Sequence, residues 1–385
     1  MSHFQFQSIG KIISGIGSIQ QLKTIFSQCP YDNILIVTDP GMLHLQLHQT
    51  ITTLCDELQQ PYVIYAEVQA DPSDTLILDA VAFARAAHID AVIGFGGGSA
   101  MDVAKVIAVL AHPDQSQSLQ HLYGIEQVVA PRLPLILIPT TAGTGSEVTP
   151  ISIVTTGQHT KSGIVSPILY ADVAILDAHF CQYLPAAITA ATGIDAMVHA
   201  IEAYTSAIKK NPYADMLAKN ALQLLNHNLP KVLNDGLDLH ARQDMLYGAM
   251  LAGQAFANAP VGAVHALAYP LGGRFHISHG HSNALVLVEV LKFNAPVAKK
   301  SYAELMQWLD PRSSGSIDGL CDLFIDHMQR HLDQSGLVLK LSQLNITEDD
   351  LLLLAQDAMQ QTRLLQNNPR PLSLEDVLAI YKAIL

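Results

Sequence analysis

Short apolar runs separated by helical stretches fill the first half of the chain, and near residue 185 the pattern changes to long helical periodicities. The runs Asn33–Thr38, Tyr62–Tyr65, Ala91–Phe95, Leu133–Ile138 and Val173–Leu176 are brief and rich in Val, Ile and Leu. Alternating with helical segments, they predict a mostly parallel sheet flanked by helices. After Pro185 the patterns lengthen to Tyr213–Asn226, Ala241–Ala257, Ser282–Phe293, Tyr302–Trp308 and Leu374–Leu385, with few β-branched runs. These predict an all-helical domain over 186–385 that follows an α/β domain over 1–185. No internal repeat interrupts this division.

Composition narrows the function classes. The 385 residues are enough for two or three domains, and 49% hydrophobic against 14% charged residues implies an extensive buried core. A formal charge of −13 and a pI near 5.6, without a basic run, argue against nucleic-acid and anionic-membrane surfaces. Small molecules and copies of the chain itself are the expected partners. Cys29, Cys55, Cys181 and Cys321 are scattered without a C-x-x-C pair, which fits a reducing cytoplasm. The N-terminus lacks a signal-like pattern, and no apolar run approaches the roughly 20 residues that span a bilayer.

Candidate chemistry concentrates in the helical half. Asp195 and His199 stand four apart in GIDAMVHAIEAY, which puts both on one face of a helix. His265 and His279 lie in GAVHALAYPLGGRFHISHGHSNALVL, where Pro270 and Gly272-Gly273 are expected to break the chain and let both imidazoles turn inward. Both segments are otherwise apolar and rich in small residues, where uncompensated imidazoles would be costly. Three imidazoles and a carboxylate suit Fe(II) or Zn(II) and leave positions open, as a catalytic site requires. An all-oxygen ion such as calcium does not fit. Asp195 follows the domain boundary closely, so the sequence suggests an active site in a cleft between the domains.

The α/β half carries loops suited to a nucleotide. The strand Ala91–Phe95 runs into Gly96-Gly97-Gly98-Ser99 and a helix from about Ala100, so backbone N–H groups can face a phosphate unobstructed. A tight turn would use glycine for its dihedral freedom, but three in succession exceed that need. The loop departs from the standard dinucleotide fingerprint, which sits in the first strand-helix unit with an acidic residue about 20 positions later. Here the acidic candidate comes earlier. Asp39, opening Asp-Pro-Gly after Asn33–Thr38, could accept from ribose hydroxyls and repel a 2′-phosphate. A second polar loop, PTTAGTGSEVTP over 139–150, offers Thr140, Thr141, Thr144 and Ser146 to phosphate or nicotinamide. Lys161 could reach a ribose or phosphate from the neighbouring segment.

GGGSAMDVAK, PTTAGTGSEVTP, GIDAMVHAIEAY and VHALAYPLGGRFHISHGHSNALVL occur in an order and spacing that make nearly the whole chain resemble the iron-containing, or group III, alcohol dehydrogenases. The resemblance implies a dehydroquinate synthase-like architecture: an N-terminal dinucleotide-binding α/β domain and a helical metal-binding and substrate domain. It implies that Asp195, His199, His265 and His279 are the metal ligands. It implies cofactor contacts at Gly96, Gly97, Gly98, Ser99, Asp102, Thr140, Thr141, Thr144 and Ser146, with Asp39 favouring NAD over NADP. Where several relatives carry another histidine four residues after the third ligand, this chain has Tyr269. Tyr269 and His276 are therefore the candidates for proton transfer, and His281 also flanks the last ligand. The expected activity is NAD-dependent oxidation of a small primary alcohol or diol, with Fe(II) favoured over Zn(II), in a homodimer or larger homo-oligomer. A maleylacetate reductase-like enzyme and a non-catalytic nucleotide sensor are the alternatives; glycerol dehydrogenases and dehydroquinate synthase-like lyases share the architecture.

Overall fold

The computed structural model describes residues 3–157 and 160–385. The chain forms two compact units, Ser8–Tyr183 and Leu184–Leu385, with the described residues up to Gln7 grouped with the second. The sequence places the division at 185/186 and the N-terminus in the α/β half; in the structure the Gln7 N–H donates to Asn258 Oδ1 at 2.8 Å, inside the helical unit.

The first unit contains strands β1 (Lys11–Ser14), β2 (Ile34–Val37), β3 (Tyr62–Tyr65), β4 (Ala91–Gly96), β5 (Gly124–Ile125), β6 (Leu135–Pro139), β7 (Ile151–Thr156), β8 (Thr160–Val165) and β9 (Val173–Leu176). Its helices are α1 (Leu22–Gln28), α2 (Pro40–His44), α3 (Gln49–Glu57), α4 (Asp74–Ala86) and α5 (Gly98–Leu110). A six-stranded sheet in the order β1-β9-β6-β4-β2-β3 is parallel throughout. Alternate residues of β2 explain its unbroken apolar run. Leu35 and Val37 pack with Ile77 and Val103 from α4 and α5, while Ile34 and Ile36 pack with Leu22 and Ile51 from α1 and α3. The chain reverses its direction across the sheet between β2 and β4, and open α/β sheets bind ligands outside the carboxyl ends of strands at such a point.

A separate three-stranded sheet, β5-β8-β7, contains an antiparallel hairpin of β7 and β8. Neither this hairpin nor the edge strand β1 is among the strands read from the sequence.

The second unit is helical among its described residues: α6 (Ala186–Thr205), α7 (Pro212–Asn234), α8 (Leu239–Asn258), α9 (Ala263–Phe275), α10 (His279–Leu309), α11 (Ile317–Gln334), α12 (Glu348–Met359), α13 (Thr362–Leu365) and α14 (Leu374–Ala383). The break expected at Pro270 and Gly272-Gly273 falls elsewhere. α9 runs through all three, and the chain turns at His276, whose φ of 55° is left-handed. A proline removes one helical N–H, and here the buried face of Leu267, Leu271 and Ala268 outweighs that loss. Likewise Ser282–Phe293 and Tyr302–Trp308 belong to one helix of 31 residues that continues through Pro296.

Candidate metal centre and nucleotide loops

On α6, Asp195, His199 and Glu202 stand at i, i+4 and i+7 and share one face. His265 lies in the first turn of α9, and His279 is the first residue of α10. The approach of α10 to α6 depends on Gly280, where a Cβ would stand 2.2 Å from the Ala191 carbonyl oxygen. That contact, one turn before Asp195, sets His279 over the carboxylate.

One ligand atom from each of Asp195, His199, His265 and His279 lies within 4.8 Å of the others. Asp195 Oδ1 is 3.9 Å from His199 Nε2, 3.8 Å from His265 Nε2 and 3.5 Å from His279 Nε2. The Nε2 atoms of His199 and His265 are 3.0 Å apart. Donors about 2.1 Å from a common ion would stand roughly 3.0–3.4 Å from one another; the His199–His265 pair at 3.0 Å has that spacing, and the Asp195 distances of 3.5–3.9 Å lie just beyond it. The other ring nitrogen of His265, Nδ1, lies 2.7 Å from Glu202 Oε2 and donates to that carboxylate, so His265 Nε2 is a bare lone pair facing a second ring nitrogen. Such a pair needs a proton or a cation between its members, and the donor set fits a borderline divalent metal.

Asp195 is buried, which pushes its carboxyl up, yet His199, His279 and His265 together with the Asn283 amide hold its pKa below the ordinary value. Asn283 Nδ2 donates to Asp195 Oδ1 at 2.6 Å and lies 3.4 Å from the Nε2 atoms of His265 and His279. The Phe256 ring stacks on His199 with centroids 4.3 Å apart. Side-chain exposure is 5% for His199 and 3% for His265 but 30% for His279, so the cluster opens on the His279 side. Tyr269, one turn beyond His265, has its ring 5.8 Å from that of His279. His276 is exposed at the end of α9 and stands outside the cluster. His281 instead meets the Val338 carbonyl at 2.6 Å.

Glu202, Gly280 and Asn283 escaped the sequence reading. Glu202 follows Asp195 and His199 on the same helical face, and Asn283 is four residues after His279; that spacing is the signal that could have found both.

The nucleotide candidates gather at the reversal point of the parallel sheet. Asp39 lies two residues beyond β2 and caps α2, its Oδ1 accepting from the Gly41 and Met42 N–H groups at 2.9 and 3.2 Å. Its Oδ2 would lie 3.2 Å from a Cβ at Gly96, the last residue of β4, whose φ of 154° suits glycine. The N-cap of α5 is Gly97, without a side-chain cap or an acidic residue in the first turn, so the helix presents free N–H groups to an anion. The threonine-rich loop lies against it. Thr140 N donates to Gly96 O at 3.0 Å, and a Cβ at Gly98 would meet Thr144 Cγ2 at 2.8 Å. Thr141 Oγ1 would be 3.7 Å from a Cβ at Gly97, and the buried Thr140 Oγ1 has no hydrogen-bond partner. Ser99 is in the first turn of α5.

Asp102 and Ser146 are engaged within the protein. Asp102 accepts from Ser146 Oγ at 2.5 Å and from Ile153 N at 2.9 Å, while the buried Lys105 donates to Ser146 Oγ, Thr149 Oγ1 and Ile151 O. Desolvation holds the Lys105 pKa below its usual value despite Asp102. These bonds fasten α5 to the loop. Lys161, on β8, has its ammonium on Asp71 Oδ1 at 2.6 Å.

Known proteins place the chain. Residues 10–178 match the family described as iron-containing alcohol dehydrogenase, and residues 189–385 match the C-terminal part of the Fe-containing alcohol dehydrogenase family. Long-chain-alcohol dehydrogenase 1 of Geobacillus thermodenitrificans is 40% identical over 371 residues, covering 96% of this chain and 93% of that protein. The NAD-dependent methanol dehydrogenase of Bacillus methanolicus is 31% identical, covering 96% and 97%. The crystal structure of a 1,3-propanediol oxidoreductase superposes over the full length of both chains with a TM-score of 0.95 and 30% identity. The molecule is thus an oxidoreductase of the alcohol dehydrogenase class. The chain belongs to the iron-containing alcohol dehydrogenase family.

Proposed function

We propose that the protein interconverts small primary alcohols or diols with their aldehydes, using NAD(H) and a divalent metal, Fe(II) in preference to Zn(II). The observation that carries this reading is the convergence of Asp195, His199, His265 and His279 on one centre. A cation held there supplies Lewis acidity toward the substrate oxygen. Asp195 contributes the anionic donor, kept ionised by its neighbours, and three imidazoles complete the grip while the more exposed His279 side admits substrate. Tyr269 is the proposed proton-carrying group, standing beside His279. The chemistry of hydride transfer belongs to the nicotinamide, and the protein supplies its placement.

For the cofactor, Gly96, Gly97, Gly98 and Ser99 with the α5 N-terminus take the pyrophosphate, and Thr140, Thr141 and Thr144 line the neighbouring edge. Asp39 meets the adenosine ribose and disfavours a 2′-phosphate. Asp102 and Ser146 hold the two loops in register. Lys161 reaches the nucleotide by exchanging its Asp71 partner. Relatives named for methanol, long-chain alcohols and 1,3-propanediol support a terminal hydroxyl as substrate.

The test is reconstitution with Fe(II) under anaerobic conditions, or with Zn(II), followed by NADH absorbance with ethanol, butanol, propanediol and maleylacetate. Metal-dependent NADH formation with the alcohols is expected, and His265→Ala should lose metal and turnover together with little change in fold. Nucleotide binding without turnover across the panel would favour a sensor instead.

A further inference from the structure

Glu202 is 6% exposed and sits behind the metal cluster. Its two oxygens have separate partners: Oε1 accepts from the Val264 backbone N–H at 2.7 Å, and Oε2 accepts from His265 Nδ1 at 2.7 Å. Both partners belong to the first turn of α9, whose N-cap is Gly262 and whose N-cap side chain can therefore contribute nothing. One oxygen would suffice to cap the helix. The second fixes the imidazole.

We propose that Glu202 is a positioning residue for the metal, acting through His265. This inference rests on the metal reading above. An ionised carboxylate is acceptor-only, so His265 must carry its proton on Nδ1 and present Nε2 as a lone pair toward Asp195, His199 and His279. The shared backbone contact at Val264 ties the ring orientation to the α9 backbone, leaving the imidazole little freedom to turn away. A buried carboxylate also requires compensation, and the imidazole conducts its charge toward a cation held on the other side of the ring. A glutamine amide cannot reproduce this. Its oxygen can accept from only one of the two donors, and its NH2 group then faces the other N–H.

The experiment uses the full chain stripped with a chelator. Dissociation constants for Zn(II) and Co(II) are measured by competition with a chromophoric chelator, the Co(II) absorption spectrum is recorded, and NADH binding is followed by fluorescence. Glu202→Gln should weaken metal binding by about 10–100-fold and alter the Co(II) bands while leaving NADH affinity unchanged. Glu304→Gln, which removes the same charge from a carboxylate that accepts from Tyr204, should behave as wild type. Glu202→Asp keeps the charge but shortens the reach; it should lose at least about fivefold. A wild-type chain that binds no metal would overturn the site reading itself. Wild-type binding with Glu202→Gln within twofold and spectrally identical would overturn only the role given to Glu202. Loss of fold in both Glu202 variants would also overturn it, by making Glu202 structural.

Discussion

Gly280→Ala tests how the helices assemble the cluster. A Cβ there would meet the Ala191 carbonyl oxygen at 2.2 Å and its carbon at 2.6 Å, both backbone atoms that cannot rotate aside. To pass from 2.2 Å to the 3.4 Å of ordinary contact, α6 and α10 must open by about 1.2 Å. Overpacking of this kind costs about 1–3 kcal/mol, and the better helix propensity of alanine returns up to about 1 kcal/mol. Taken from the middle of that cost range, the net loss is about 1–2 kcal/mol, or a Tm lowered by roughly 2–8 °C for a unit of this size. Because ligand distances tolerate only about 0.2 Å, the same opening should carry His279 out of range of the ion proposed at Asp195 and weaken metal binding at least tenfold. Thermal unfolding is read on chelator-stripped protein, so that metal does not contribute to stability, and affinity is read by chelator competition. A Tm within 1 °C of wild type with unchanged affinity would refute the geometric argument.

Asp39→Gly should narrow the preference for NAD over NADP by about tenfold, equivalent to about 1.4 kcal/mol, measured as the ratio of kcat/KM values; an unchanged ratio counts against a ribose contact. Tyr269→Phe should lower kcat at least about tenfold and change its pH profile, whereas an unaltered rate and profile would show that the hydroxyl is dispensable. His331, which meets Asn226 Oδ1 at 2.7 Å, has its pKa pulled down to about 4 by burial, with His327 and Arg330 adding to the effect. Its folded form favours the neutral ring, so its contribution is complete above about pH 6.5 and lost as pH falls toward 4, worth about 3 kcal/mol. Urea unfolding of His331→Gln should therefore show a shallower loss over that window, and a slope equal to wild type would contradict the assignment.

Much of this architecture was legible in the sequence because its signals are local. Strands such as Ile34–Val37 are buried on both faces and read as continuous apolar runs, and the glycines after β4 sit where a strand turns directly into a helix. The four proposed ligands were visible because polar residues interrupt otherwise apolar helices. What failed was local weighing against distant packing. Pro270 with Gly272-Gly273 predicts a break, and Ser282–Phe293 reads apart from Tyr302–Trp308, but extensive buried faces carry α9 through the first and α10 across the second. The edge strand β1 has exposed ends and a burial too uneven to announce itself. Helical spacing puts Glu202 on the ligand face, but its partner His265 lies 63 positions away, and Gly280 matters only through Ala191, 89 positions away, so neither contact is visible within one segment.

The most direct measurement is an anomalous difference map from crystals of protein loaded with Fe(II) or Zn(II). The account predicts one peak about 2.0–2.2 Å from Asp195 and from Nε2 of His199, His265 and His279. A peak held by other residues, or a fully loaded protein whose peak misses any of these four groups, would contradict it.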